Sequence, residues 1–250
     1  MHDCINADPP VLTADNDVLL RLHGVSRHFT GGAGVVDIHL TLPVGQTLGI
    51  CGVSGCGKST LLRLIAGLDL PDEGEIVGSV GRLGMVFQEP QLLPWLSARD
   101  NVQLVLGAEQ SDKALAALRE VGLEQAAGRY PAQLSGGMRQ RVGIARALAV
   151  EPELLLMDEP FASLDYFNRV ELLELVRERI HERGITAVFV SHDVREIARL
   201  CDRVIVLGSQ PGRILEHLHD PLPPLERDAR PGRRAAFEER LLQSIRAGML

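Results

Sequence analysis

Three short runs hold the residues best suited to chemistry: GVSGCGKST at 52–60, LSGGMRQR at 134–141 and LLLMDEP at 154–160. The first fits G-x-x-x-x-G-K-[ST], a loop that joins a strand to a helix and wraps its backbone around phosphate. Gly52, Gly55 and Gly57 carry no Cβ, so the chain can curl with its N–H groups turned inward toward an anion. Lys58 opens the following helix, whose N-terminal partial charge also favours an anion, and its ammonium reaches the β- and γ-phosphates. Ser59 offers a hydroxyl to Mg²⁺. The whole run, Gly52, Val53, Ser54, Gly55, Cys56, Gly57, Lys58, Ser59 and Thr60, is the candidate nucleotide-binding segment.

The apolar stretch 154–157 has the length and continuity of a strand buried on both faces of a parallel sheet. Asp158 falls at its carboxyl end, where such sheets place ligands, and is a hard oxygen ligand for Mg²⁺. Glu159 follows directly. Neighbours on an extended chain point to opposite sides, so one carboxylate can bind metal while the other polarises an attacking water. Ser135, Gly136 and Gly137 place a hydroxyl and two unobstructed amides before a helix expected over 138–149, a second cradle for an anion. One nucleotide does not need two cradles from one chain. The economical arrangement gives each to a different ATP, with two chains completing each other's sites.

On these motifs the chain resembles the ATP-binding subunits of ABC transporters, and GMRQRVGIARAL at 137–148 is similar to their nitrate/sulfonate/taurine importer branch. The resemblance implies an α/β fold: a P-loop NTPase core of ABC type, mainly parallel sheet flanked by helices, with an antiparallel β subdomain and an α-helical signature subdomain. It implies that Gln88, in MVFQEP, touches Mg²⁺ and water and links to a membrane subunit, and that His192, in FVSHD, contacts the γ-phosphate. Asp165, in ASLD, then crosses the dimer interface; it also suits the N-cap of a helix starting at Tyr166. Phe29, in SRHF, takes the place of an aromatic stacked on adenine, with core packing as its alternative. The implied partners are a second copy in a head-to-tail dimer, integral membrane permease subunits and, indirectly, a solute-binding protein. The implied location is cytoplasmic, on the inner face of the cell membrane. After Asp165 the chain reads YFNR, where that branch reads nearer ALTR.

Composition bounds this reading. A chain of 250 residues with 45% hydrophobic content can build one main core. A net charge of −7 and 4% aromatics exclude the basic, aromatic-rich surface that tracks nucleic acid. No stretch reaches the roughly 20 apolar residues of a membrane span, and MHDCINADPP lacks the charge and apolar centre of a signal peptide. Competing functions are an ABC exporter, a nucleic-acid motor or translation factor of the same superfamily, and a non-catalytic scaffold. No heptad-bearing insert separates Lys58 from Ser135, and a base is present in Glu159.

The expected organisation is a loose segment over 1–16 and one ABC ATPase domain over 17–250, with a helical subdomain at about 89–150 and a C-terminal extension at about 208–250. Alternation predicts half-buried strands at 18–22 and 38–42, and apolar runs predict strands at 46–51, 83–87 and 186–190. Ser97 with Asp100 reads as a capping box, and Ser111 as the cap of the next helix. Leu92, Leu93, Pro94 and Trp95 are expected to be exposed as a groove for a partner's helix, with subdomain packing as the alternative. Phe237, Leu241 and Ile245 recur at four-residue spacing on a final helix expected to pack on the core. Of Cys4, Cys51, Cys56 and Cys201, Cys56 stands near a helix N-terminus, a setting that lowers a thiol's pKa and predicts inhibition by thiol reagents; an inert buried thiol is the alternative.

Overall fold

The apolar runs become the strands of a six-stranded sheet in the computed structural model, which describes residues 17–107, 109–220 and 222–248. In chain order these are β3 (Thr47–Gly52), β5 (Leu83–Val86), β6 (Leu154–Asp158), β7 (Thr186–Val190), β8 (Arg203–Leu207) and β9 (Ile214–His219). They lie in the order β5-β6-β7-β3-β8-β9, parallel except for β9, which runs antiparallel along β8. Successive side chains on a strand point to opposite faces. Leu154 and Leu156 therefore join one core cluster, with Val188, Val190, Ile205 and Leu207, while Leu155 and Met157 join another, with Ala187, Phe189, Val204 and Val206. Burial on both faces is why β3, β6 and β7 carry no polar alternation, whereas the edge strand β9 is mostly exposed and mixes polar with apolar residues.

The first cluster continues into a three-stranded antiparallel sheet of order β2-β1-β4, formed by β1 (Val18–His28), β2 (Gly34–Pro43) and β4 (Glu73–Gly78). Helix α1 (Lys58–Ile65) buries Leu61, Leu62, Leu64 and Ile65 in the same cluster. On the other side, α2 (Ala98–Gln103), α3 (Ser111–Glu120) and α4 (Gly136–Ala149) pack on one another as a helical unit. The second cluster also takes in α5 (Tyr166–Arg183) and α6 (Val194–Leu200). The expected fold is the observed one.

The capping details are mixed. Ser97 Oγ accepts the Asp100 N–H at 3.1 Å and donates to the Asp100 carboxylate at 2.6 Å, so the acid of this box grips the capping hydroxyl. Ser111, by contrast, is the first residue of α3 and not its cap, because the Ala114 N–H already reaches the Gln110 carbonyl at 3.1 Å.

The C-terminal part forms α7 (Pro224–Asp228) and α8 (Pro231–Ala247), and Phe237 and Leu241 are buried in the core with Ile245 packed beside them. Arg227 is fully buried there. It donates to the carbonyls of Ala198 at 2.7 Å, Cys201 at 3.2 Å and Leu222 at 3.0 Å, and its guanidinium lies 4.4 Å from the Phe237 ring. A buried charge is tolerable when hydrogen-bonded in this way. Among the described residues no helix is long and apolar enough to cross a membrane. The segment 1–16 and Cys4 lie outside the described residues.

Candidate nucleotide-binding site

The loop between β3 and α1 leaves the middle of the sheet and curls back on itself. Its glycines are required by contact as well as conformation. A Cβ on Gly52 (φ 150°) would stand 2.5 Å from the Leu207 carbonyl oxygen, and one on Gly57 (φ 99°) 2.7 Å from that of Gly34. Lys58 Nζ donates to the carbonyls of Gly52 at 3.0 Å and Val53 at 2.9 Å, bracing the loop from inside. A cleft of about 520 Å³ opens over this turn, lined by Ser54, Gly55, Gly57, Lys58, Ser59 and Thr60. Across it stand Gln88, Glu159 and His192, with Ala33 and Gly34 at another wall. Residues as far apart as Ala33 and His192 thus share one space, because β5, β6 and β7 run parallel to β3 and end on the same side of the sheet.

Asp158 closes β6, and its half-buried carboxylate faces the Ser59 hydroxyl. Burial raises its pKa, with the Ser59 hydroxyl and the nearby Lys58 opposing the rise and the charge of Glu159 adding to it. Glu159 does not continue the strand. Its backbone turns left-handed at φ 44°, a conformation a non-glycine residue adopts at a cost and keeps only where its surroundings impose it. The Glu159 N–H holds the Val190 carbonyl at 3.0 Å, and its carboxylate lies 3.2 Å from His192 Nδ1. The two acids do diverge, one toward Ser59 and the other toward His192. The cause is this turn and not the strand alternation anticipated from sequence.

Gln88 opens a loop that α4 holds in place. Gln140, fully buried, donates to the Phe87 carbonyl at 3.1 Å, and Arg146 donates to the carbonyls of Pro90 at 2.7 Å and Gln91 at 3.0 Å. Gln88 also borders a second groove of about 480 Å³, with Glu89, Pro90, Leu92, Gly136 and Arg139. Buried Asn101 organises the next stretch, accepting from the Leu93 N–H at 2.8 Å and donating to the carbonyls of Leu93, Leu96 and Ser97. Leu92 and Leu93 are consequently half-buried, contrary to expectation, while Pro94 and Trp95 (69% exposed) face outward.

Ser135 and Asp165 are not at the first cleft. They line a third opening, of about 370 Å³, with Gly137, Met138, Ser163 and Asn168. Ser135 caps α4 by accepting the Met138 N–H at 3.2 Å, so Gly136 and Gly137 form the helix's first turn. Asp165 caps α5, accepting from the Asn168 N–H at 3.1 Å and its side-chain amide at 2.6 Å. Beyond it, Tyr166 and Phe167 pack edge to face, 5.7 Å apart, and both are exposed. Phe29 is exposed as well and not a core residue. The Arg27 guanidinium lies 5.2 Å from its ring, at the start of the loop that brings Ala33 and Gly34 to the first cleft.

Cys56 corrects an expectation. Its side chain is fully buried beneath the loop, and burial raises the thiol pKa against the pull of Lys58. Cys51 is pushed up to about 12, and Cys201 is also raised by burial. In a Cys4→Ser background, the folded protein at neutral pH is expected to react with a maleimide more than about tenfold more slowly than the unfolded chain, since the thiolate is the nucleophile. Equal rates would refute that burial.

Asn101, Gln140, Arg146 and Glu196 escaped the sequence reading. Each is a polar residue on a helix whose partners are loop or strand-end groups, and only helix-face arithmetic placing them on the buried side could have hinted at them.

The fold and cleft together define an ATP-binding cassette of ABC type. The chain belongs to the ABC transporter family, whose profile matches residues 35–162. It is 44% identical over 236 residues to an aliphatic sulfonates import ATP-binding protein of Pseudomonas aeruginosa, covering 91% of this chain and 85% of that one. A similarly described protein of Rhizobium johnstonii is 42% identical over 248 residues, covering 94% and 89%. Among solved structures, an ATP-binding cassette in a dimeric post-hydrolysis state with ADP and phosphate aligns with a TM-score of 0.74 at 32% identity, covering 80% of this chain and 98% of that one.

Proposed function

We propose that this chain is the ATP-hydrolysing subunit that drives import of a small sulfonate through separate membrane permease subunits, working as a pair of identical copies on the inner face of the cell membrane. The observation that carries the catalytic part is the division of one chain's motifs between two clefts. Lys58, Gln88, Glu159 and His192 surround the first, while Ser135 and Asp165 line another with no residue in common. Two copies in head-to-tail contact bring the first cleft of one against the second of the other. Two solved structures of one relative, the cassette reported above, are described as dimeric, which supports this arrangement.

The loop amides and Lys58 then hold the β- and γ-phosphates, and Phe29 stacks on the base. Ser59, Asp158 and Gln88 present a hydroxyl, a carboxylate and an amide oxygen, a donor set that suits Mg²⁺. Ser59 and Asp158 already stand side by side. Bound with ATP, the ion would neutralise charge on the phosphate oxygens. Glu159 accepts a proton from the attacking water, and His192, beside it, orients the γ-phosphate. The Ser135 hydroxyl and the Gly136 and Gly137 amides of the second copy complete the anion cradle. Gln88, shared between the nucleotide cleft and the groove beside α4, then reports γ-phosphate loss to a permease segment seated in that groove.

The sulfonate assignment draws on the two relatives above, and it has a direct test. Disrupting the gene in its host is expected to abolish uptake of a labelled alkanesulfonate, with recovery from the wild-type gene and none from a Glu159→Gln copy. Undiminished uptake after disruption would refute the assignment.

A further inference from the structure

Arg169, one turn into α5, reaches two loops at once. Toward the first, its Nη2 donates to the Leu164 carbonyl at 3.1 Å; Leu164 precedes Asp165 and lines the same cleft as Ser135. Toward the second, Nη1 lies 3.7 Å from Asp193 Oδ2, and Nε 3.7 Å from Glu196 Oε1. Both acids hold the loop that carries His192. Ser191 donates to Glu196 Oε2 at 2.6 Å and accepts the Asp193 N–H at 3.0 Å, while Asp193 caps α6 through the Arg195 N–H at 2.9 Å. His192 is thus flanked by two residues, each tied to an acidic partner of Arg169 or itself that partner.

The guanidinium is not fully satisfied. Its Nε is buried and makes no hydrogen bond, although Glu196 is nearly within reach. A buried donor left unpaired is costly, and a displacement of under an ångström of either loop would complete the bond. The contact is therefore one small shift short of complete, which leaves the two loops room to adjust to each other.

We propose that Arg169 is a positioning residue through which the Leu164–Asp165 segment, facing the second copy, sets the placement of His192 beside Glu159. The inference rests on the paired-copy reading above and adds to it how engagement of a partner reaches the hydrolytic residues. Arg169 touches no reacting atom; it acts through the two loops.

Two variants separate positioning from simple charge pairing. Arg169→Lys keeps a cation for buried Glu196 but loses the fork that spans three acceptors. Arg169→Met with Glu196→Gln removes both charges, so neither is left buried alone. For each, kcat is expected to fall by between about tenfold and a hundredfold, the scale of a small misplacement at a reacting centre. KM for ATP is expected to stay within about twofold, because the phosphate loop and Lys58 are untouched. A wild-type kcat in either variant, or a raised KM with kcat unchanged, would overturn the proposal. If mixing two variants, one damaged at Lys58 and the other at Ser135, restores no hydrolysis, the paired-copy reading has failed. Normal wild-type turnover with unaffected variants sinks this inference alone.

Discussion

Replacing Glu159 by glutamine is expected to lower ATP hydrolysis by about 10²–10⁴, the usual contribution of a positioned base, while nucleotide binding persists. The amide keeps the shape of the side chain and its place next to His192, 3.2 Å away in the native site, but cannot accept the water's proton. On the paired-copy proposal hydrolysis removes the γ-phosphate contacts between copies, so the variant should accumulate as a dimer when ATP is added. A full swing from open to closed needs about 5.5 kcal/mol of differential binding. Several charge-assisted hydrogen bonds at about 1.5–3 kcal/mol each can supply it. Size-exclusion chromatography with and without ATP, alongside phosphate release, reads both effects. Normal turnover would remove Glu159 from its role; low turnover with no ATP-dependent dimer would leave the base in place and break the link to pairing.

A second large effect separates the two clefts. Lys58→Ala damages the first and Ser135→Arg the second, and each alone is expected to reduce hydrolysis by more than about a hundredfold, the scale on which losing one preorganised phosphate or oxyanion donor acts. Mixed together, the two inactive proteins should regain activity. A mixed dimer combines Lys58 from the Ser135→Arg copy with Ser135 from the Lys58→Ala copy, so one of its two sites is intact. Random pairing makes about half the dimers mixed, so up to about a quarter of all sites are restored. Recovery well above the sum of the separate activities, rising with protein concentration, is the expected result. No recovery at any ratio, with both variants folded, would mean that Ser135 does not complete a partner's site.

How much of this could be read in advance varied with the range of the interactions. The strands at 154–158 and 186–190 were legible because burial on both faces leaves an unbroken apolar run. The turn after Gly52 was legible because only glycine tolerates the approach of Leu207 and Gly34 to its backbone. Cys56 was misread: proximity to a helix N-terminus is a local feature, but the direction of its side chain into the core is not. The same holds for Leu93, held by hydrogen bonds with Asn101, and for Leu92, packed against the core, neither of which a hydropathy pattern encodes.

By itself the sequence determined the glycine-rich loop before α1, the continuous strands, the caps at Ser97 and Asp165, and a second glycine-rich helix start at Ser135. These depend on residue type and short spacing, which the chain carries wherever it folds. Only the tertiary structure decided that Gln88, Glu159 and His192 share a cleft with Lys58 while Ser135 and Asp165 do not. It also decided that Glu159 leaves its strand through a left-handed turn, and that Arg169 spans two loops. The reason is physical: which strand ends meet depends on sheet order, and sheet order is set by the joint burial of both core clusters, an interaction among residues too far apart in sequence for local pattern to express.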